Sequence, residues 1–121
     1  MKNPPKKTLR VKADTLCSQL ARSIKVCEAK GQDGIKCKGD LQWCHLETRA
    51  IISLRYDRRN WTTWCSAHHW FYDLHPIAKS EWVKRNKGLK IYDFLKRYKN
   101  PSGIITKQWY LDKIEELKWY L

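Results

Sequence analysis

The sequence predicts an α+β domain: one short strand pair, stapled by cysteine and histidine side chains, with helices at both ends. Three observations carry that expectation. Two short runs, LQWCHLE at 41–47 and WTTWC at 61–65, have strand character. The first alternates apolar and polar side chains, and the second is rich in Thr and Trp. Apolar residues recur at helical spacing on either side of these runs. Cysteines and histidines gather around them, at Cys27, Cys37, Cys44, His45, Cys65, His68 and His69.

Composition sets the bounds. The 121 residues suit one small domain with appendages. Hydrophobic residues make up 42% and aromatics 12%, enough for a modest core. Domains this small often add a metal or disulfides. A net charge of +13 and a pI near 9.7 point to a polyanionic partner, nucleic acid first, against the alternative of a merely soluble basic protein. The 5 cysteines are an odd number, which fits a disulfide framework poorly. The start, MKNPPKKTLR, is basic with no apolar stretch behind it. No apolar run approaches the ~18 residues of a membrane span. A reducing cytoplasm is therefore expected, where cysteines near histidines suggest metal.

Taken in order, residues 1–13 are basic, carry Pro4 and Pro5, and read as a flexible arm able to lie on a phosphate backbone, or as a solubilising tail. Residues 14–79 form the expected core and residues 80–121 a helical extension. Asp14 is placed to cap a helix whose face carries Leu16, Leu20 and Ile24. Cys17, beside that face, reads as a small core residue. CEAKGQDGIKCKGD, at 27–40, is a Gly-rich knuckle with a cysteine near each end. TRAIISLRYDRRN, at 48–60, reads as an irregular basic connector between the strands. Ser66 to Leu74 suits a helix that Pro76 ends by forcing His75 out of helical geometry. Helices at 80–86 and 91–98 flank Gly88, a C-cap candidate, and 99–103 is a turn cluster. The last helix, from Thr106, aligns Tyr110, Ile114, Leu117 and Leu121 on one face. That face packs on the body or, alternatively, on a second copy in a dimer. Trp61, Trp64 and Trp70 are expected in the core, with stacking on an unpaired base as the alternative.

Helical geometry separates the adjacent pair His68–His69. Neighbours on a helix point about 100° apart, whereas residues three or four apart share a face. Cys65 and His68 can therefore grip one ion, and His69 and Asp73 another. Cys27 and Cys37 complete the first set as Cys3His, with Cys44 in place of Cys37 as a rival. Three thiolates and an imidazole suit a structural zinc, which would supply folding free energy on the order of 10 kcal/mol or more.

The run LQWCHLETR, RYDRRN, WCSAHHWFYDLHP resembles the HNH, or ββα-metal, nucleases, and more narrowly the phage recombination-endonuclease branch of the NinG type. The likeness covers about Cys27 to Pro76. It implies a small zinc-stapled ββα-metal core between flanking helices. It further implies a DNA endonuclease, structure-selective or weakly sequence-specific, acting on branched or recombining phage DNA in the host cytoplasm. Carried over by position, His45 is the general base, Asn60 holds the loop that orients it, and His69 binds a catalytic divalent ion with Asp73. That ion would be Mg2+ or Mn2+, with Zn2+ or Ni2+ as alternatives. Two positions depart from the pattern. His68 stands where the family's Cys-x2-Cys ends, and Cys44 stands where many members have a metal-binding Asp or His. Cys44 and His75 are thus the alternative ligands. Arg49, four residues after His45, is placed for the scissile or adjacent phosphate. Arg55, Arg58 and Arg59 are further phosphate contacts, or simply a solvated basic face. A zinc-knuckle DNA- or RNA-binding protein without catalysis, and an RNA-directed nuclease, are the competing readings.

Overall fold

A computed structural model describes residues 4–48, 50–99 and 104–121. Arg49 and the tip of the turn cluster at 100–103 lie outside the described residues, as do residues 1–3.

The first helix, α1, runs from Lys6 to Arg22. It starts eight residues before Asp14, so residue 13 is not the end of a flexible arm. The reason is a second, small-residue stripe: Leu9, Ala13, Cys17 and Ala21 recur every four residues and are all buried. Leu16, Leu20 and Ile24 pack at its margin. Asp14 therefore lies inside the helix and caps nothing.

β1 (Leu41–His45) pairs antiparallel with β2 (Trp61–Cys65), in a register that sets Leu41 against Cys65 and His45 against Trp61. The connector is more ordered than expected. It holds a short helix α2 (Ile52–Arg55) and a 3-10 turn (Arg58–Asn60), whose entry Asp57 caps by accepting from the Arg59 N–H. α3 (Ser66–Leu74) leaves β2 without a loop, and α4 (Pro76–Asn86) follows after His75 alone. Pro76, at the first turn of α4, has its φ set for a helix start and no N–H to satisfy. The boundary expected at residue 80 consequently falls inside α4. α5 (Leu89–Arg97) follows Gly88, whose φ of 95° breaks the chain between the two helices. α6 (Lys107–Trp119) is capped by the Thr106 hydroxyl, which accepts from the Trp109 N–H.

The hairpin stands between two apolar clusters. On one side Trp61 meets the α1 stripe, Tyr56 and the α6 residues Tyr110, Ile114 and Leu117, with Trp43 packed against them. On the other, Cys44 and Trp64 meet Tyr72, Trp82, Val83 and Leu95. Alternation along β1 makes this division: Trp43 and His45 point one way, Gln42 and Cys44 the other. The face of α6 expected to meet the body or a second copy is covered by α1 of the same chain, except Leu121, which is exposed. Trp70 is a correction. It is 71% exposed, while Trp61 and Trp64 are buried. Its position one residue after His69 turns it outward when His68 and Tyr72 face the core.

Candidate functional site

The knuckle, the end of β2 and the first turn of α3 bring four ligand atoms together. Cys27, Cys37, Cys65 and His68 place their sulfur and nitrogen atoms within 4.8 Å of one another and could hold a metal ion. Among the described residues this is the one such group of three or more. His68 Nδ1 lies 3.6 Å from Cys27 Sγ, 3.6 Å from Cys37 Sγ and 3.3 Å from Cys65 Sγ. A tetrahedral ion with zinc-like bond lengths requires N–S edges of about 3.5 Å, so the cage has the right size. His68 Nε2–H donates to the Gln32 carbonyl at 3.2 Å. That bond fixes the tautomer and leaves Nδ1 with the lone pair a metal needs.

The thiols are tuned unequally. Burial raises Cys65, but hydrogen bonds to its sulfur, the His68 backbone N–H first, outweigh it and bring the thiol down to about 6. Burial pushes Cys27 up to about 12, and Cys37 is also raised. A cation at the centre removes that disparity, because thiolates rather than thiols are its ligands. Two backbone details hold the cage. Asp40 and Lys38 carbonyls accept from the Ser66 and Ala67 N–H groups, at 3.0 and 3.1 Å. Gly39, at φ 84°, allows the crossing: a Cβ there would meet Ser66 Oγ at 2.6 Å.

Cys44 does not join. It is buried, donates to the Gln42 carbonyl at 3.4 Å, and is pushed up to about 12 by burial. Its sulfur is not among the ligand atoms that come together with Cys27, Cys65 and His68, nor does it form a group with His69 and Asp73, so both the rival zinc set and the alternative catalytic ligand at Cys44 are set aside. His75 also stays out. Its Nδ1–H donates to the Phe71 carbonyl at 2.8 Å, and its ring stacks on Phe71.

His45 ends β1 beside Trp43, their ring centroids 4.5 Å apart. Its Nε2 lies 3.0 Å from the Arg55 carbonyl. A carbonyl can only accept, so Nε2 carries a proton. Asn60 secures the connector that supplies this carbonyl. Fully buried, it accepts from the Glu47 N–H at 2.8 Å and donates to the Thr48 and Leu54 carbonyls at 3.2 and 3.3 Å.

His69 lies on the other side of the hairpin. Its Nδ1 meets Gln42 Oε1 at 2.6 Å and its Nε2 meets Asp73 Oδ2 at 3.3 Å. Once Nδ1–H donates to Gln42, a neutral ring would aim its Nε2 lone pair at a carboxylate oxygen. A proton on Nε2 would make this a salt bridge, and a cation between the two atoms would replace it. Lys79 approaches Asp73 from the other side at 3.6 Å. Asp73 also borders a cleft of about 280 Å3 that Glu47, Lys79 and Lys96 help to line. Among the described residues His45, His69 and Asp73 do not form a single ligand cluster.

The connector arginines are engaged within the molecule. Arg55, 15% exposed, grips Asp14 through Nε and Nη2, both at 2.8 Å. Arg58 forks onto Glu28 at 3.0 and 3.1 Å and covers Trp61. Arg59 pairs with Asp57 at 2.7 Å and covers Phe94. Arg55 is thus largely enclosed by its pair with Asp14, whereas Arg58 and Arg59, 45% and 49% exposed, form surface ion pairs with Glu28 and Asp57. Asp14 was expected to cap a helix and not to pair with Arg55, and Glu28, Gln32 and Gln42 were not singled out in the sequence. Alternation along β1 was the one available signal: it turns Gln42 toward α3.

No family model, no curated protein and no solved structure matches the chain. Among the described residues no helix is long and apolar enough to cross a membrane.

Proposed function

We propose that the chain is a divalent-metal-dependent endonuclease of nucleic acid, DNA foremost, on a zinc-stapled ββα-metal core. The resemblance adds phage DNA recombination as its setting. The observation that supports it most is the held ring of His45 at the end of β1: Nε2–H on the Arg55 carbonyl fixes the orientation of an imidazole that would act as the general base. Asn60 keeps that carbonyl in place through the connector. Cys27, Cys37, Cys65 and His68 would hold zinc as a structural ion, since all four positions of a tetrahedron are filled by protein. His69 and Asp73 would offer two ligands to a second ion. Their 3.3 Å spacing suits adjacent corners of an octahedron with bonds of about 2.1 Å, whose edge is about 3 Å. A divalent cation bound there supplies charge stabilisation at the phosphate and at the leaving oxygen. The scissile phosphate would bridge α3 and the strand end.

Nicking of supercoiled and branched DNA with Mg2+ or Mn2+ tests this reading. His45→Ala should lower the rate by roughly 10^2–10^4 while zinc content and fold remain. Activity that survives His45→Ala removes the mechanism.

A zinc-stapled nucleic-acid-binding protein without catalysis is the second reading. The buried thiol at Cys44 favours it, because one ligand position common in the resembling nucleases is then lost. Binding without cleavage of any substrate would select it.

A further inference from the structure

The cations with no carboxylate partner are concentrated elsewhere than the connector. Lys25, Lys30 and Lys38 are exposed, and among the described residues none of them takes part in an ion pair. All three line one groove of about 340 Å3, whose floor includes Cys27, Cys37 and Cys65. Lys36 and Arg22, also exposed, belong to the same stretch of chain.

We propose that this lysine-rimmed groove over the cysteine cage is the phosphate-backbone track of the protein, a nucleic-acid-binding surface distinct from both His45 and the His69–Asp73 pair. The inference rests on the nucleic-acid reading above but not on catalysis. Three features carry it. The first is surplus charge. Three thiolates and a divalent ion sum to one negative charge, so three lysines are more than the cage needs for neutrality. The second is a fixed backbone. Lys25 has a positive φ of 65° and its N–H donates to the Arg22 carbonyl, Lys30 closes a turn on Cys27, and the Lys38 carbonyl is tied to α3. The charges stand on a stapled frame, so little backbone ordering is required on binding. The third is shape. A concave groove admits a protruding phosphate chain, whereas a flat bilayer surface does not enter it. Lysine, a compact point charge, suits sequence-independent phosphate contact.

The test is fluorescence anisotropy with a labelled DNA duplex and the matching single strand, over a series of salt concentrations. The triple variant Lys25→Gln/Lys30→Gln/Lys38→Gln should bind at least about tenfold more weakly at low salt. Its log K against log salt should flatten by about 2–3 units of slope, close to one per lost phosphate contact. A control with the same charge change on exposed lysines elsewhere, Lys90→Gln/Lys99→Gln/Lys107→Gln, should keep most of the slope. The charge-conserving Lys25→Arg/Lys30→Arg/Lys38→Arg should bind like the parent. If the glutamine triple loses zinc or melts early, Lys30→Gln alone is read instead, with an expected slope change of about 1. Equal losses in the groove and control triples overturn the inference and leave nucleic-acid binding intact. A parent protein that binds neither DNA form overturns the nucleic-acid reading as well. Lysine-dependent binding to phosphatidylserine vesicles without binding to DNA overturns the choice of partner.

Discussion

His68 and His69 are neighbours on one helix and end in opposite kinds of environment. His68 is fully buried, with one ring nitrogen on a backbone carbonyl and the other facing three sulfurs. His69 lies at the surface between a glutamine and a half-exposed aspartate. One group is closed, with four protein ligand atoms that could fill a tetrahedron; the other, under the function proposed above, would offer an ion two ligands and leave the rest to water or substrate. A closed site holds the fold together and tolerates no missing member. An open site contributes little to stability and leaves coordination positions for chemistry. The helix start determines both, because a 100° step divides adjacent residues between two surroundings.

The largest expected difference is in metal and fold. Cys65→Ala removes a ligand and the side chain that accepts from the His68 N–H at the start of α3. Zinc content should fall to near zero, with a loss of roughly 5 kcal/mol or outright unfolding. A chelator strong enough to strip zinc should do the same to the parent protein. Metal analysis and thermal melts followed by circular dichroism read both. A Cys65→Ala protein that keeps stoichiometric zinc and its melting temperature would mean that the four residues are merely packed thiols.

The two sites also differ in how legible they were in the sequence. The hairpin, the helix from Ser66 and the Cys65–His68 pair follow from alternation, from Pro76 and from three-residue spacing, all local signals, while Cys27 and Cys37 join from 41 and 31 residues away. The staple could be composed because each ligand has a distinctive chemistry. The pairing of Arg55 and Arg58 could not, since it depends on Asp14 and Glu28, which lie 41 and 30 residues away in sequence. The early start of α1 was hidden for a different reason: its first two turns bury only Leu9 and Ala13, and Lys6, Lys7, Arg10 and Lys12 around them give the segment the composition of a tail. The exposure of Trp70 likewise follows from the same 100° step that separates the histidines, yet a tryptophan's size argues for burial when its helix phase is ignored.

Asn60→Ala should come next in magnitude, on the closed side of the comparison but away from the metal. It leaves the Glu47 N–H and two carbonyls without their partner. The expected cost is about 2–4 kcal/mol, with zinc content unchanged. Urea unfolding alongside metal analysis separates this loss from that of the cage. Loss of zinc in Asn60→Ala would show that the connector and the cage are one unit.

A smaller, pH-dependent effect links the knuckle to β2. Burial alone would raise the Glu28 carboxyl, but the Thr63 N–H, Arg58 and the Thr62 hydroxyl outweigh it and hold it below its usual range. A carboxyl with a depressed folded-state pKa contributes stability above its unfolded value, near 4.5, and loses it as the pH falls through the folded value. The stability difference between parent and Glu28→Gln should therefore be constant from pH 8 to about pH 5, at about 1 kcal/mol for this partly exposed pair. It should shrink in more acid solution, where both proteins are measured with zinc in excess. A difference that grows as the pH falls would reverse the assignment.

The smallest expected effect on stability is the sharpest for function. His69→Ala removes a half-exposed ring whose partners, Gln42 and Asp73, can both turn to water. The fold should lose no more than about 1 kcal/mol, and zinc should remain stoichiometric, in direct contrast to Cys65→Ala. What should disappear is the response to added Mn2+ or Mg2+. Binding of Mn2+ followed by paramagnetic relaxation should weaken, and metal-dependent nicking should fall with it. Asp73→Asn should act in the same direction, since it removes the negative charge while keeping the shape. If His69→Ala empties the zinc cage, the division between the two histidines is wrong, whatever happens to activity. If zinc stays and Mn2+ binds as before, the cage is correct and the second ion lies elsewhere. The two readouts therefore fail independently, which is what two sites sharing one helix start require.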